Sequence, residues 1–231
     1  MTDTEEPQTL DTNPAIEVRG LTQAYGLHPA VEDISFQVKK GEIFCLFGGA
    51  GAGKTTVLRM AAGLLSPKSG TVLIHNRDIW RHGTDPDTAI GVVLEAANPY
   101  LAMTGLENVT TFGELNGSDI GNLKERTERI MKQFGLWNRR HEYALDYPDA
   151  LRQLLMIAMA LINEPGVLFL DDPTASLDFL SRQLIHTAVR QQAEKNAAVL
   201  LTTSNLDEAR GLGHRMASII AGRLTIVEDL K

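Results

Sequence analysis

The chain has 231 residues, 43% hydrophobic and 22% charged, a balance that fits one sizeable globular core with or without a small subdomain. Its net charge of −7, from 22 basic and 29 acidic side chains, argues against nucleic acid as the main partner. A single cysteine, Cys45, excludes an intrachain disulfide, and the longest apolar stretch, Leu154 to Ile162, falls well short of the ~20 residues that span a bilayer.

Residues 1–14 are acidic and polar, lack the charged-then-apolar order of a signal peptide, and read as a loose tail. Residues 15–231 then read as one domain. A cytoplasmic location is expected, with any membrane-spanning part of the machinery carried on another chain.

In chain order, short apolar alternations come first: Ile16 and Val18, then Val31, Ile34, Phe36 and Val38. They predict strands, punctuated by Gly20, Gly26 and Gly41. Ile43 to Phe47 is a solid apolar run, as expected of a strand buried on both faces. A glycine-rich turn leads into a predicted helix, Thr55 to Leu65, closed by Ser66 and Pro67. Thr71 to Ile74 and Ala89 to Leu94 read as strands. Helical spacing then dominates over Gly105–Leu115, Asp119–Phe134 and Asp149–Asn163. Strand signals return at Val167–Leu170, Val199–Thr203, Met216–Ile220 and Leu224–Val227. The pattern predicts an α/β fold: a P-loop core with a mainly parallel sheet, an antiparallel β group near the N-terminus, and a helical subdomain over about 96–158.

Gly48-Gly49-Ala50-Gly51-Ala52-Gly53-Lys54-Thr55 fits the phosphate-loop pattern GxxxxGK[ST]. Glycines let backbone N–H groups wrap phosphates with no Cβ in the way, and the helix N-terminus adds partial positive charge. Lys54 can reach the β and γ phosphates, and Thr55 can offer its hydroxyl to Mg²⁺. The predicted nucleotide site runs from Gly48 to Thr56. Val167-Leu168-Phe169-Leu170-Asp171-Asp172 delivers a carboxylate to the end of a buried strand, suited to holding Mg²⁺. Either feature alone could be an ordinary turn; together they point to a nucleotide phosphate chain with Mg²⁺.

Asp171-Asp172-Pro173-Thr174-Ala175-Ser176-Leu177-Asp178 resembles the DEPTxxLD stretch of the ABC (ATP-binding cassette) family. Tyr25-Gly26 lies where that family places an aromatic on the adenine. Gly41-Glu42-Ile43 resembles its entry into the phosphate-loop strand, Leu106-Glu107-Asn108-Val109 its helix after the Q-loop, and Ile157-Ala158-Met159-Ala160-Leu161 its IARAL helix. The match runs over residues 15–228. It implies an ATP-binding subunit that pairs with a second cassette, identical or not, and docks on a separate multi-spanning permease at the cytoplasmic face of the membrane.

Four positions depart from the family pattern. The Q-loop glutamine is Glu95. The signature LSGGQ aligns with Tyr147-Pro148-Asp149-Ala150-Leu151. The catalytic glutamate is Asp172, and the switch histidine is Ser204. Pro148 has no N–H, and Asp149 would bring a carboxylate towards a triphosphate. Asp172 is one methylene shorter than glutamate. Ser204 cannot reach as far as an imidazole or carry its charge. Glu95 can still serve Mg²⁺ as an oxygen ligand. The expectation is therefore slow ATP hydrolysis, with a regulatory cassette that binds but barely hydrolyses ATP as the alternative. A cassette ATPase outside transport is a third reading, disfavoured by the absence of a second cassette or a long insertion.

Other eye-catching residues have plainer readings. Cys45 sits mid-strand and reads as core. Phe134 and Trp137 read as packing. Arg139-Arg140 reads as a solvated helix terminus. Arg152 and Gln153 face either a partner subunit or water.

Overall fold

A computed structural model describes residues 13–84, 88–95, 97–116, 120–175 and 177–230. The expected tail therefore lies almost wholly outside the described residues, as do Ala96, Asp119 and Ser176.

Two sheets form the frame. Strands β1 (Ile16–Tyr25), β2 (His28–Val38), β4 (Ser69–Ile74) and β5 (Arg77–Asp78) build an antiparallel sheet in the order β2-β1-β4-β5. Strands β3 (Ile43–Phe47), β6 (Ile90–Val93), β7 (Val167–Asp171), β8 (Ala198–Thr203), β9 (Arg215–Ile220) and β10 (Arg223–Asp229) build the second, in the order β10-β9-β3-β8-β7-β6. All its pairings are parallel except the edge hairpin β9–β10. Both the antiparallel N-terminal group and the mainly parallel core match the sequence expectation.

The central strands are apolar throughout because both faces are covered. In β3, Ile43 and Cys45 join the core beneath the helices, while Phe44 and Leu46 join the core shared with the antiparallel sheet. In β7 and β8 the same alternation sends Leu168, Leu170, Val199 and Leu201 one way and Phe169 and Leu200 the other. Cys45 is completely buried, as its position mid-strand predicts.

The helices are α1 (Lys54–Ala61), α2 (Ile79–His82), α3 (Gly105–Leu115), α4 (Ile120–Gln133), α5 (Asp149–Leu161), α6 (Phe179–Glu194) and α7 (Leu206–Leu212). α3 starts on a capping box: Thr104 Oγ1 accepts from the Glu107 amide and the Glu107 carboxylate accepts from the Thr104 amide. α3, α4 and α5 pack on one another, and burial of Leu154, Leu155, Ile157 and Leu161 contributes roughly 1.5–3 kcal/mol per side chain.

Predicted bounds moved by a few residues. α1 stops at Ala61 rather than Leu65, because Gly63 turns left-handed (φ 74°) and the Leu64 and Leu65 amides fold back on Arg59 O. α5 stops at Leu161, and β6 is one residue shorter at each end than Ala89–Leu94. Gly70 belongs to β4 at φ 99°, where a Cβ would lie 2.5 Å from Gly20 O, so only glycine fits. α6 and α7 are the helices expected between the late strands, for which no bounds were predicted; α7 has only seven residues and α6 mixes buried His186 and Gln192 into its inner face.

Candidate nucleotide site

The phosphate loop leaves the C-terminal end of β3 and enters α1 at Lys54, the crevice position expected of a parallel sheet. Its glycines divide by role. A Cβ at Gly48 would meet Ile219 O at 2.6 Å, and one at Gly53 (φ 106°) would meet Ala30 O at 2.5 Å. Those two glycines let the loop pass its neighbours. Gly49 and Gly51 face open space instead, with nothing within 4 Å of where a Cβ would lie. Ala50 is exposed and Ala52 is tucked in, its carbonyl accepting from the Gly222 amide.

Lys54 is buried and folds over the loop, its Nζ donating to Gly48 O at 2.8 Å and Gly49 O at 2.9 Å. Thr55 Oγ1 donates to Asp171 Oδ1 at 3.0 Å, and Thr202 Oγ1 donates to the same oxygen at 2.6 Å. Asp171 is 1% exposed, yet its Oδ2 is buried with no hydrogen-bond partner. A lone buried carboxylate oxygen is costly unless something positive or hydrogen-bonding meets it. Beside Thr55 it fits a hard cation that takes most of its oxygens from water and phosphate, which is how Mg²⁺ is bound. Among the described residues no group of three or more His, Cys, Asp or Glu side chains could hold a metal ion by itself. Thr56 follows Thr55 in the first turn of α1.

Asp172 and Ser204 come together. Ser204 Oγ donates to Asp172 Oδ2 at 3.1 Å, while the Asp172 amide donates to Thr202 O at 3.0 Å. Burial pushes the Asp172 carboxyl up. The Ser204 hydroxyl pulls it down in part, and the Glu208 charge adds to the upward push. Glu95 is exposed in the turn after β6. It lines a cavity of about 300 Å³ together with Asp149, Arg152, Gln153, Asp172 and Pro173. The four altered positions thus separate: Glu95, Asp172 and the signature-aligned turn share one cavity, and Ser204 reaches it through Asp172.

Tyr25 ends β1 at the tip of the β1–β2 hairpin and is 54% exposed. Ala30 and Val31 of the same hairpin close on Gly53, so the tip carrying Tyr25 flanks the phosphate loop.

The signature-aligned turn is built inward. Tyr147 is almost fully buried, with its hydroxyl donating to Arg139 O at 2.8 Å. Arg152 donates to Ala144 O, Leu145 O and Asp149 Oδ1, and Gln153 donates to Pro173 O at 3.0 Å. Both therefore have hydrogen-bond partners within this chain. Arg139 and Arg140 are likewise engaged: Arg139 pairs with Glu142 and lies over the Tyr147 ring, and Arg140 sits 4.3 Å from the Trp137 ring centre. The bland reading of a solvated terminus misses these contacts.

The sequence reading also missed a buried carboxylate. Glu208 of α7 accepts from Thr174 Oγ1 (2.5 Å), Thr203 Oγ1 (2.6 Å) and His186 Nε2 (2.8 Å). The one available signal was Thr202-Thr203 at the end of an otherwise apolar strand, since buried hydroxyls need partners.

Comparison with known proteins now fits this geometry. The ABC transporter family model matches residues 31–175. The daunorubicin/doxorubicin resistance ATP-binding protein DrrA of Streptomyces peucetius is 36% identical over 220 residues, covering 93% of this chain and 66% of that protein. This chain thus spans about two thirds of that relative's length. A solved ATP-binding subunit of an ABC transporter superposes with a TM-score of 0.85 at 25% identity, covering 94% of this chain and 90% of that one. A cassette solved as a dimer in a post-hydrolysis state with ADP and phosphate superposes with a TM-score of 0.83 at 24% identity, covering 94% and 99%. The chain belongs to the ABC transporter family, as an ATP-binding subunit.

Proposed function

We propose that this chain binds Mg²⁺-ATP at Gly48–Thr56, closes on a second cassette, and turns ATP over slowly to drive a separate membrane permease. The observation that carries the reading is the triplet Lys54, Thr55 and Asp171, with Asp171 Oδ2 left unpartnered in a buried position.

Each residue has a role that its chemistry allows. Gly49 and Gly51 present bare backbone, and Lys54 supplies the positive charge beside it. Tyr25 offers a ring face to the adenine. Thr55 and Asp171 would hold Mg²⁺, with Glu95 as a further oxygen donor at the cavity edge; the ion, when bound, offsets phosphate charge. Asp172 accepts a proton from, and orients, an attacking water. Ser204, once released from Asp172, would offer the terminal phosphate a single hydrogen bond over a shorter reach than an imidazole.

Slowness follows from the same contacts. The Asp172 side chain is short and already accepts the Ser204 hydroxyl. Pro148, which has no N–H, stands at the N-cap of α5, and Asp149 is exposed in its first turn. This is also what favours the second reading, a regulatory cassette that binds ATP and barely hydrolyses it.

No helix among the described residues is long and apolar enough to cross a membrane. The proposal places the chain as a peripheral protein on the cytoplasmic face, held there by the permease. Phosphate release by the purified chain, alone and with its permease, tests the reading. Absence of any nucleotide binding by the purified chain would refute it.

A further inference from the structure

Glu208 has side-chain exposure of 1%, so it keeps its charge only because donors surround it. Three elements supply those donors. Thr174 belongs to the loop after β7, Thr203 ends β8, and His186 lies on the inner face of α6. Because a carboxylate only accepts, His186 must present its Nε2 proton to it. The Thr203 hydroxyl is used twice, since it also accepts from the Asn205 amide, which opens α7.

Two of these donors stand next to the proposed chemistry. Thr174 is two residues after Asp172, and Thr203 directly precedes Ser204. Asp172 sits at φ 43°, a sparsely populated region for a residue with a side chain. Such a conformation costs about 1 kcal/mol or more and persists only where the surroundings fix it. On one side the fixing comes from the Asp172 amide on Thr202 O. On the other it comes from Thr174 on Glu208.

We infer that Glu208 is a positioning residue: it binds the loop carrying Asp172 to the strand end carrying Ser204, and so sets the geometry of those two groups. The inference rests on the proposed role of Asp172 and Ser204 at the terminal phosphate. It is distinct from nucleotide binding, since Lys54 and Thr55 have no hydrogen bond to Glu208.

The test uses the full chain as Glu208→Gln, Thr174→Val and the conservative Thr174→Ser. Three quantities are measured: amide hydrogen exchange over 172–175 and 202–204, ATP affinity, and single-turnover phosphate release. Glu208→Gln and Thr174→Val should speed exchange in both segments and lower phosphate release about tenfold or more, because ångström-scale misplacement of a catalytic group costs ~100-fold. ATP affinity should stay within about twofold of wild type, as expected when an interaction serves only the transition state. Thr174→Ser, which keeps the hydroxyl, should behave as wild type. Unchanged exchange in Thr174→Val, or affinity and turnover falling together, overturns the inference. Should Glu208→Gln fail to fold, the two Thr174 variants decide it. Wild type that binds ATP but releases no phosphate refutes the hydrolysis reading alone, and exchange still judges the clamp.

Discussion

The hydroxyl of Ser204 donates to Asp172 Oδ2 at 3.1 Å, so two of the positions that depart from the family pattern also occupy each other. A longer acid or a longer base at one position alone would still face a mismatched partner. Asp172→Glu and Ser204→His should each raise turnover by only a few fold. The double variant should exceed the product of the singles, because groups that act as a unit are non-additive. Steady-state phosphate release by the four proteins, with permease present, checks this. Wild-type turnover of ~10 per second, the ordinary enzyme range, would show that these substitutions are harmless.

Lys54 donates to two loop carbonyls, those of Gly48 and Gly49. Its contacts to a charged ligand should be worth about 2 kcal/mol, so Lys54→Ala should weaken ATP about 30-fold. Titration calorimetry measures the affinity, and a melting curve confirms that the loop still folds. Affinity equal to wild type would remove Lys54 from the site.

The fold was largely readable because its central strands are buried on both faces and so carry unbroken apolar runs, as in Ile43–Phe47 and Val167–Leu170. The phosphate loop was readable because GxxxxGK[ST] is a short contiguous pattern, visible without knowing what its glycines pack against. What escaped depends on contacts between residues far apart in the chain. Glu208 meets Thr174 and His186 only after α6 and α7 pack, and no spacing announces that meeting. Arg152 and Gln153 looked like surface groups because their carbonyl partners, Ala144, Leu145 and Pro173, belong to turns that sequence periodicity does not describe.

Tyr25 stands 54% exposed at a hairpin tip that flanks the loop. If it stacks on adenine, Tyr25→Ala should cost about 1 kcal/mol, near fivefold in ATP affinity, and leave inorganic triphosphate unaffected. Competition binding with the two ligands separates the cases. Equal losses would assign Tyr25 to the hairpin alone.

Acid should loosen the protein through Glu208. Burial pushes its carboxyl up, but the hydrogen bonds from His186, Thr174 and Thr203 outweigh that, and its pKa lies below the usual 4.5. The folded state therefore holds the proton less tightly than the unfolded chain. The resulting stability is complete above about pH 4.5 and is lost as pH falls through the folded value. Glu208→Gln has no such proton to gain. Melting temperatures of both proteins between pH 7 and pH 3.5 should differ most near neutrality and converge on acidification. Two parallel curves would mean that the Glu208 charge contributes nothing to the fold beyond the shape of its side chain.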